Sequence, residues 1–325
     1  MFFLTLMVGT MIAISSYSWM GMWMGLEINL LSMMPLMSDY KSPYSTESSL
    51  KYFIIQALAS MILMFSIIST SLVSSFFFET EILMIMNLAL MIKMGMAPFH
   101  FWFPEIIDGL NWMNCLILLT WQKIAPMMLI ILNTANLKFI NSMIIISLIT
   151  GGLMGLNQSS LRKIMVYSSI NHMGWMMAAL MVNELIWWTY IFVYTLISFL
   201  MISFFKQNKI FKLNQIQSLK NSNTKMVILM NFLSLGGLPP FIGFIPKWLT
   251  INELISNNFM FTAFMAAVLT LITLYFYTRI FFPVMTLNKK SINLNLSTSK
   301  NWIYSISNSV NLLSLPICTI MAWIL

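Results

Sequence analysis

The 325 residues are 59% hydrophobic and only 8% charged, with a mean hydropathy of +0.84 and a net charge of +8. A soluble domain carries about 25% charged residues, so a water-facing surface of this size is excluded. The basic residues sit in short loops between apolar runs, a distribution that does not mark a nucleic-acid partner.

The apolar residues come in runs of about 20, the length that crosses a bilayer core. They do not alternate with polar residues as β-barrel strands do. The predicted fold class is therefore an all-α polytopic membrane protein. In chain order the sequence predicts eleven spans, near residues 2–18, 20–38, 52–73, 82–99, 112–132, 139–157, 163–181, 185–205, 225–249, 258–282 and 302–324. The stretches 206–224 and 284–300 are longer polar loops. No soluble domain fits anywhere. The first charged residue is Glu27, so the opening segment lacks the basic flank of a signal peptide and the arginines of a presequence. It is expected to be retained, with no presequence-directed import.

Alternate loops lie on opposite faces of the membrane. One face receives the N-terminus and thirteen Lys/Arg: Lys41, Lys51, Arg162, Lys163, Lys206, Lys209, Lys212, Lys220, Lys225, Arg279, Lys289, Lys290 and Lys300. The other receives Lys138 alone, with Glu79, Glu81, Glu184 and Glu253. That bias is the positive-inside pattern. It predicts an N-terminus inside and a C-terminus outside.

The same accounting leaves Lys93, Lys123, Lys247 and Glu27 within spans. A lysine at mid-bilayer costs roughly 2.5–3.5 kcal/mol on insertion scales, so intramembrane ionisable residues are functional candidates. Burial disfavours the ammonium form and a nearby carboxylate favours it. The distance between Glu27 and Lys93 can therefore set whether the lysine holds a proton. The bland alternative is a static ion pair. Lys123 and Lys247 have no second buried carboxylate to pair with. His172 is predicted mid-span, as a proton bridge or a hydrogen-bonded core residue. His100, beside Trp102 at a span end, is read as structural. Cys115 and Cys318 lie far apart in apolar segments and form no metal or redox motif. They read as small core residues.

Two spans carry helix breakers: Pro98 in the fourth, and Gly236, Gly237, Pro239 and Pro240 in the ninth. Broken backbone at membrane depth is tolerated only inside protein or against a watery cavity. Breaks at corresponding places in two halves point to a transport site. The breaks are five spans apart, which predicts two inverted five-helix repeats, about 1–132 and 139–282, plus an extra helix at about 302–324. Glu27 in span two then corresponds to His172 in span seven. Lys123 has only Arg279 as counterpart. The whole chain, 1–325, reads as one membrane domain.

The stretches WMGLEINLLSMMPL, KMGMAPFHFWFPE, LTWQKIAPMM, LRKIMVYSSINHMGW and NFLSLGGLPPFIGFIPKWL resemble the antiporter-like subunits of respiratory complex I in their animal mitochondrial form, the insect one in particular. The 33 methionines suit that source. The resemblance runs from about Trp19 to Lys247. Larger members of that family have fourteen helices, and the animal mitochondrial form lacks the first three. The resemblance implies a proton relay of Glu27, Lys93, Lys123, His172 and Lys247. It implies a multi-pass place in the mitochondrial inner membrane, N-terminus on the matrix side and C-terminus on the intermembrane-space side. Neighbours would be other membrane-arm subunits, both antiporter-like and small, and lipids such as cardiolipin. It also implies no cofactor in this chain, with NADH, FMN, iron–sulfur clusters and ubiquinone handled elsewhere in the complex. The expected function is proton translocation coupled to NADH oxidation by ubiquinone. The rivals are a stand-alone cation/proton antiporter and a purely structural assembly subunit.

Overall fold

The computed structural model describes residues 1–39, 42–72, 76–133, 136–217 and 222–286. The predicted span 302–324, the loop residues from 287 onward, Lys41, Lys220 and Cys318 lie outside the described residues. The chain divides into two compact units, Met1–Ser147 and Leu148–Leu325.

The described residues fold as helices, with one isolated antiparallel bridge between Ser160 and Lys212. The first unit holds α1 (Phe2–Ser15), α2 (Trp19–Met37), α3 (Pro43–Leu72), α4 (Phe76–Met94), α5 (Trp102–Gly109), α6 (Trp112–Leu119) and α7 (Trp121–Ile131). α8 (Leu137–Gly155) runs across the boundary. The second unit continues with α9 (Leu161–Val182), α10 (Glu184–Asn208), α11 (Leu213–Gln217), α12 (Ser222–Gly236), α13 (Phe244–Ser256) and α14 (Met260–Thr286). Caps place some of the starts. Ser18 accepts from the Gly21 amide, Ser160 from that of Lys163, and Asn183 from that of Leu185.

Among the described residues, five segments are long and apolar enough to cross a bilayer by length and hydropathy: Pro43–Leu72, Trp112–Ile131, Leu137–Gly155, Glu184–Asn208 and Met260–Phe282. That is fewer than eleven, for several physical reasons, one being that α2 and α9 have the length, 19 and 22 residues, but carry polar side chains such as Asn29 and His172 that lower their hydropathy. Helices such as Phe2–Ser15 and Thr224–Gly236 are apolar but short. The stretches holding Pro98 and Pro239–Pro240 are each divided into two helices. The segment 100–111, expected as a loop, contains α5, and Leu213–Gln217 within the expected loop 206–224 is helical.

α3 shows which way the protein faces its solvent. Leu50, Ile54, Leu58, Met61, Phe65, Ile68 and Leu72 are exposed, at spacings of three or four. That is one continuous helical stripe. The opposite face buries Ser45, Ser48, Ser49, Tyr52, Gln56, Ser60 and Ser66. Apolar outside and polar inside is the reverse of a soluble helix, and it suits a lipid surround. The buried hydroxyls satisfy themselves by donating back along the helix, as Ser48 does to the Ser45 carbonyl and Ser66 to that of Leu63.

Helix pairs approach through small residues, as expected where lipid is no less apolar than a side chain. A Cβ on Gly25 of α2 would lie 2.5 Å from the backbone nitrogen of Ala13 in α1 and 2.7 Å from its Cα. A Cβ on Gly152 of α8 would meet Ile272 side-chain atoms at 3.4 Å and the Leu269 carbonyl oxygen at 3.8 Å, ordinary van der Waals contacts. Gly25→Val is therefore expected to force α1 away from α2 and remove most of the chain from the membrane, while Gly152→Ala leaves its level unchanged. Immunoblots of both variants check this, and equal levels would refute it.

In the second unit α9 is the central element, with every residue from Ile164 to Leu180 buried. Helices buried all round are normally uniformly apolar. This one carries Ser168, Ser169, Asn171 and His172.

Candidate functional site

In the first unit four helices bring polar side chains to one place. Lys93 sits in the last turn of α4 and Lys123 in the first turn of α7, and both are buried. A small cavity is lined by both lysines together with Tyr52, Gln122 and Trp102. A second, also lined by Lys93 and Gln122, adds Asn29, Gln56 and Pro126. Each has about 10 Å³ of room, close to what one water needs.

The walls are built by direct hydrogen bonds. Asn29 of α2 and Gln122 of α7 exchange two, at 2.9 and 3.1 Å. Gln56 of α3 donates to the Lys93 carbonyl at 3.0 Å. That carbonyl belongs to the last turn of α4, which has no following helical turn to receive it. Lys123 lies 5.8 Å from the centre of the Phe103 ring, a cation–π distance.

Glu27 of α2 is close enough for Lys93 to feel its charge. The two make no ion pair or hydrogen bond among the described residues: Glu27 Oε2 and Lys93 Nζ are both buried without a hydrogen-bond partner. The direct ion pairs described here are those of Lys51, with Glu47 at 3.0 Å and Glu105 at 3.1 Å, and they are exposed. The alternative of a static Glu27–Lys93 pair therefore finds no contact to support it.

The break after α4 is built from Gly95 and Pro98. Gly95 takes a φ of +72°, which L side chains avoid and glycine accepts. The Ala97–Pro98 bond is cis. His100 is buried beyond it, stacked on Phe101 at 4.5 Å, its Nδ1 3.3 Å from the Pro98 carbonyl oxygen. Cys115 is buried in α6 with its thiol toward the Ile107 and Leu110 carbonyls.

The second unit has a break of the same construction. Gly236 ends α12, and Gly237 has a φ of +77°. Pro239 and Pro240 follow, and α13 begins at Phe244. The steps Gly95, Pro98, Trp102 and Gly237, Pro240, Phe244 have identical spacing, each pair offset by 142 positions. Lys247 of α13 folds back across this break. Its ammonium donates to the Gly236 carbonyl at 2.8 Å and to that of Leu235 at 3.3 Å. These are unsatisfied carbonyls at the negative end of α12, where a cation is favoured. Lys247 also lies 6.0 Å from the centre of the Trp175 ring. His172, one turn earlier on α9, has Nδ1 2.8 Å from the Tyr190 hydroxyl, with the Tyr194 ring 5.1 Å away.

Glu27, Lys93 and Lys123 thus belong to the first unit, and His172 and Lys247 to the second. Sequence reasoning passed over Asn29, Gln56, Gln122 and Tyr190. The available signal was adjacency: Asn29 is two residues after Glu27, and Gln122 precedes Lys123. Amides within apolar runs are costly unless bonded, and that cost applied to these residues as it did to the lysines.

Such a site can hold a proton on a lysine and move it through amides, hydroxyls and water. Among the described residues no group of three His, Cys, Asp or Glu stands together as metal ligands would.

The sequence profile of the family described as NADH:quinone oxidoreductase/Mrp antiporter, TM, matches residues 16–273. The NADH-ubiquinone oxidoreductase chain 2 of Anopheles gambiae is 50% identical over 326 residues, covering 97% of this chain and 94% of that protein. The chain 2 of Locusta migratoria is 40% identical, covering 99% and 93%. Among solved structures, a chain of respiratory complex I from Thermus thermophilus with bound aureothin superposes with a TM-score of 0.86 at 23% identity, over 97% of this chain and 76% of that one. A chain of the Mrp complex from Dietzia sp. DQ12-45-1b gives a TM-score of 0.78 at 17% identity, over 87% and 59%. Identities this low speak for the fold alone.

Proposed function

The chain belongs to the NADH:quinone oxidoreductase/Mrp antiporter transmembrane family, among the NADH-ubiquinone oxidoreductase chain 2 proteins, and from that premise we propose that it is a core membrane subunit of respiratory complex I that translocates protons. It is a multi-pass protein of the mitochondrial inner membrane, surrounded by other membrane-arm subunits and by lipid. It carries no redox centre of its own. Electrons pass from NADH to ubiquinone elsewhere in the complex, and this chain receives the released energy as electrostatic and conformational change.

Its relay groups are Glu27, Lys93 and Lys123 in the first unit and His172 and Lys247 in the second. The observation that carries the reading is the cavity shared by Lys93 and Lys123 beside a broken helix. Two ammonium groups facing one low-dielectric space repel each other, so one proton there disfavours a second. A change at Glu27 then alters which lysine is charged.

The chain crosses the membrane eleven times, as two inverted five-helix repeats and one further helix. The N-terminus lies on the matrix side and the C-terminus on the intermembrane-space side. The matched Gly–Pro spacing at the two breaks supports the repeats, and the thirteen-to-one bias of Lys/Arg supports the sidedness.

The test is Lys123→Met in the assembled complex, reconstituted into vesicles. The expected result is normal assembly with loss of proton translocation. Undiminished translocation per NADH oxidised overturns the relay. Failure of neutral isosteres to assemble favours a structural role, and cation/proton exchange by the purified chain alone favours a stand-alone antiporter.

A further inference from the structure

The second unit carries its surface charges of opposite sign at opposite ends. Among its described residues the acids are Glu184 and Glu253. Glu184 opens α10, and Lys206 lies in its last turn, about 33 Å along at 1.5 Å per residue. Glu253 stands shortly before α14 begins, and Arg279 lies near the other end of that helix. The end that bears Arg279 and Lys206 therefore has no described carboxylate. A cavity of about 420 Å³ opens there, within the size range of small-molecule sites. Asn157, Ser159, Asn214 and Arg279 line it and are exposed, while Leu156, Leu213, Phe276 and Ile280 make its walls apolar.

Arg279 stands where this cavity meets the outer face of α14. Phe261, Phe264, Val268, Leu271, Tyr275 and Phe282 are exposed, and their spacing makes one helical stripe. Arg279 falls in that stripe, four residues after Tyr275 and three before Phe282. A guanidinium thus rises from the apolar surface that α14 turns outward. It has five N–H donors in a planar fork. One donates to the Leu156 carbonyl at 3.0 Å, just past the end of α8. The others have no hydrogen-bond partner among the described residues, and Arg279 makes no ion pair among them. Capping α8 would use one donor of the five. A second cation stands close by, since Lys225 donates to the carbonyl of Gln217, another residue of the cavity lining, at 2.8 Å.

We propose that this cavity is a binding site for an anionic phospholipid, with the phosphodiester on Arg279 at the rim and an acyl chain along Leu271 and Tyr275 of α14. The guanidinium fork matches phosphate oxygens two at a time. Asn157, Ser159 and Asn214 offer amides and a hydroxyl to the rest of the headgroup. The apolar walls suit the glycerol and the first methylenes, which a free phosphate would leave against water. Basic clusters beside a span favour anionic over neutral lipid. A zwitterionic lipid brings the same phosphate with an ammonium of its own, and an end without carboxylates has nothing to pair with it. The site rests on the membrane reading of the chain and needs nothing of the relay.

The test places the assembled complex in phosphatidylcholine vesicles with a trace of phosphatidylglycerol bearing a photoreactive acyl chain, and maps the labelled residues by mass spectrometry. The expected result is labelling of α14 between Leu271 and Phe282 that added phosphatidylglycerol competes away and added inorganic phosphate does not. Arg279→Gln should cut that labelling about tenfold, as the loss of one hydrogen bond to a charged group does. Undiminished labelling in Arg279→Gln overturns the site. So does equal labelling by photoreactive phosphatidylcholine, which would make the lipid ordinary solvent. Competition by inorganic phosphate would make the cavity a free-anion site, and no labelling at all would place a neighbouring subunit there; either overturns the proposal. Should Arg279→Gln fail to assemble, Asn214→Asp decides, because it sets a carboxylate on the exposed rim, and unchanged labelling then overturns the site. Photoreactive phosphatidylcholine on the exposed stripe of α3 is the control: its absence would go against the membrane reading itself, while loss of selectivity at α14 alone goes against the site.

Discussion

Lys93→Met is expected to leave the chain in the membrane at its normal level and to abolish proton translocation. The two halves of that result come from different terms. Removing a buried ammonium removes its insertion cost, roughly 2.5–3.5 kcal/mol at mid-bilayer, and methionine fills a similar volume. Stability therefore has no reason to fall, unless Lys93 neutralises a charge that would otherwise be stranded. Breaking a buried ion pair by removing one partner costs about 3–5 kcal/mol. Glu27 and Lys93 make no such pair, since Glu27 Oε2 and Lys93 Nζ are each buried without a hydrogen-bond partner. The variant should accordingly survive. Translocation should not, because Lys93 lines both small cavities of the first unit and is the lysine nearest the influence of Glu27. Methionine has no proton to give. Electron transfer from NADH, measured with a soluble quinone beside proton uptake in vesicles, separates the two effects. Normal proton stoichiometry would remove Lys93 from the relay. Loss of the chain from the membrane would instead make it a helix-locking residue.

Much of this site is legible in the sequence, because membrane depth makes polarity expensive. Lys93, Lys123, Lys247, Glu27 and His172 stand out for that reason alone. Pro98 and Pro239–Pro240 stand out because proline lacks a backbone donor. What the residues do not show is partnership. Lys247 looks unpaired in GGLPPFIGFIPKWL, yet it is satisfied by the Leu235 and Gly236 carbonyls. Backbone acceptors leave no mark in a sequence, so a lysine capping a helix end reads as a lysine without a partner. The grouping of Asn29 with Gln122 is hidden in a similar way, since 93 residues separate them. α5 was missed because Phe101 to Pro104 follows a proline break and looks like a continuing loop. Its burial of Trp102, Phe103, Ile106 and Ile107 depends on neighbours that α3 supplies.

The two break glycines are alike in backbone and unlike in surroundings, and this allows strain to be separated from chemistry. Gly95 and Gly237 have φ of +72° and +77°. Alanine at either site should cost about 1–2 kcal/mol, the price of the left-handed region for an L residue. At Gly95 a Cβ would press on Trp102 at 3.0 Å and Phe103 at 3.3 Å. At Gly237 it would lie 2.7 Å from Lys247 Cδ and 3.0 Å from its Nζ. Gly237→Ala must therefore move the lysine off the Gly236 carbonyl, now 2.8 Å away, and leave the end of α12 without its cation. Its loss of stability should exceed that of Gly95→Ala by about 1–2 kcal/mol, the worth of a cation in a favourable, partly buried place at a helix C-terminus. Translocation should fall with it. Lys247→Ala removes Cδ and Nζ, so in that background Gly237→Ala should cost only the backbone strain. The difference between the two backgrounds is the coupling energy between glycine and lysine. Thermal unfolding of the purified complex, followed at this chain, measures it. A coupling near zero would mean that Lys247 reaches another partner when displaced, and the helix end would no longer explain why a lysine sits at this break.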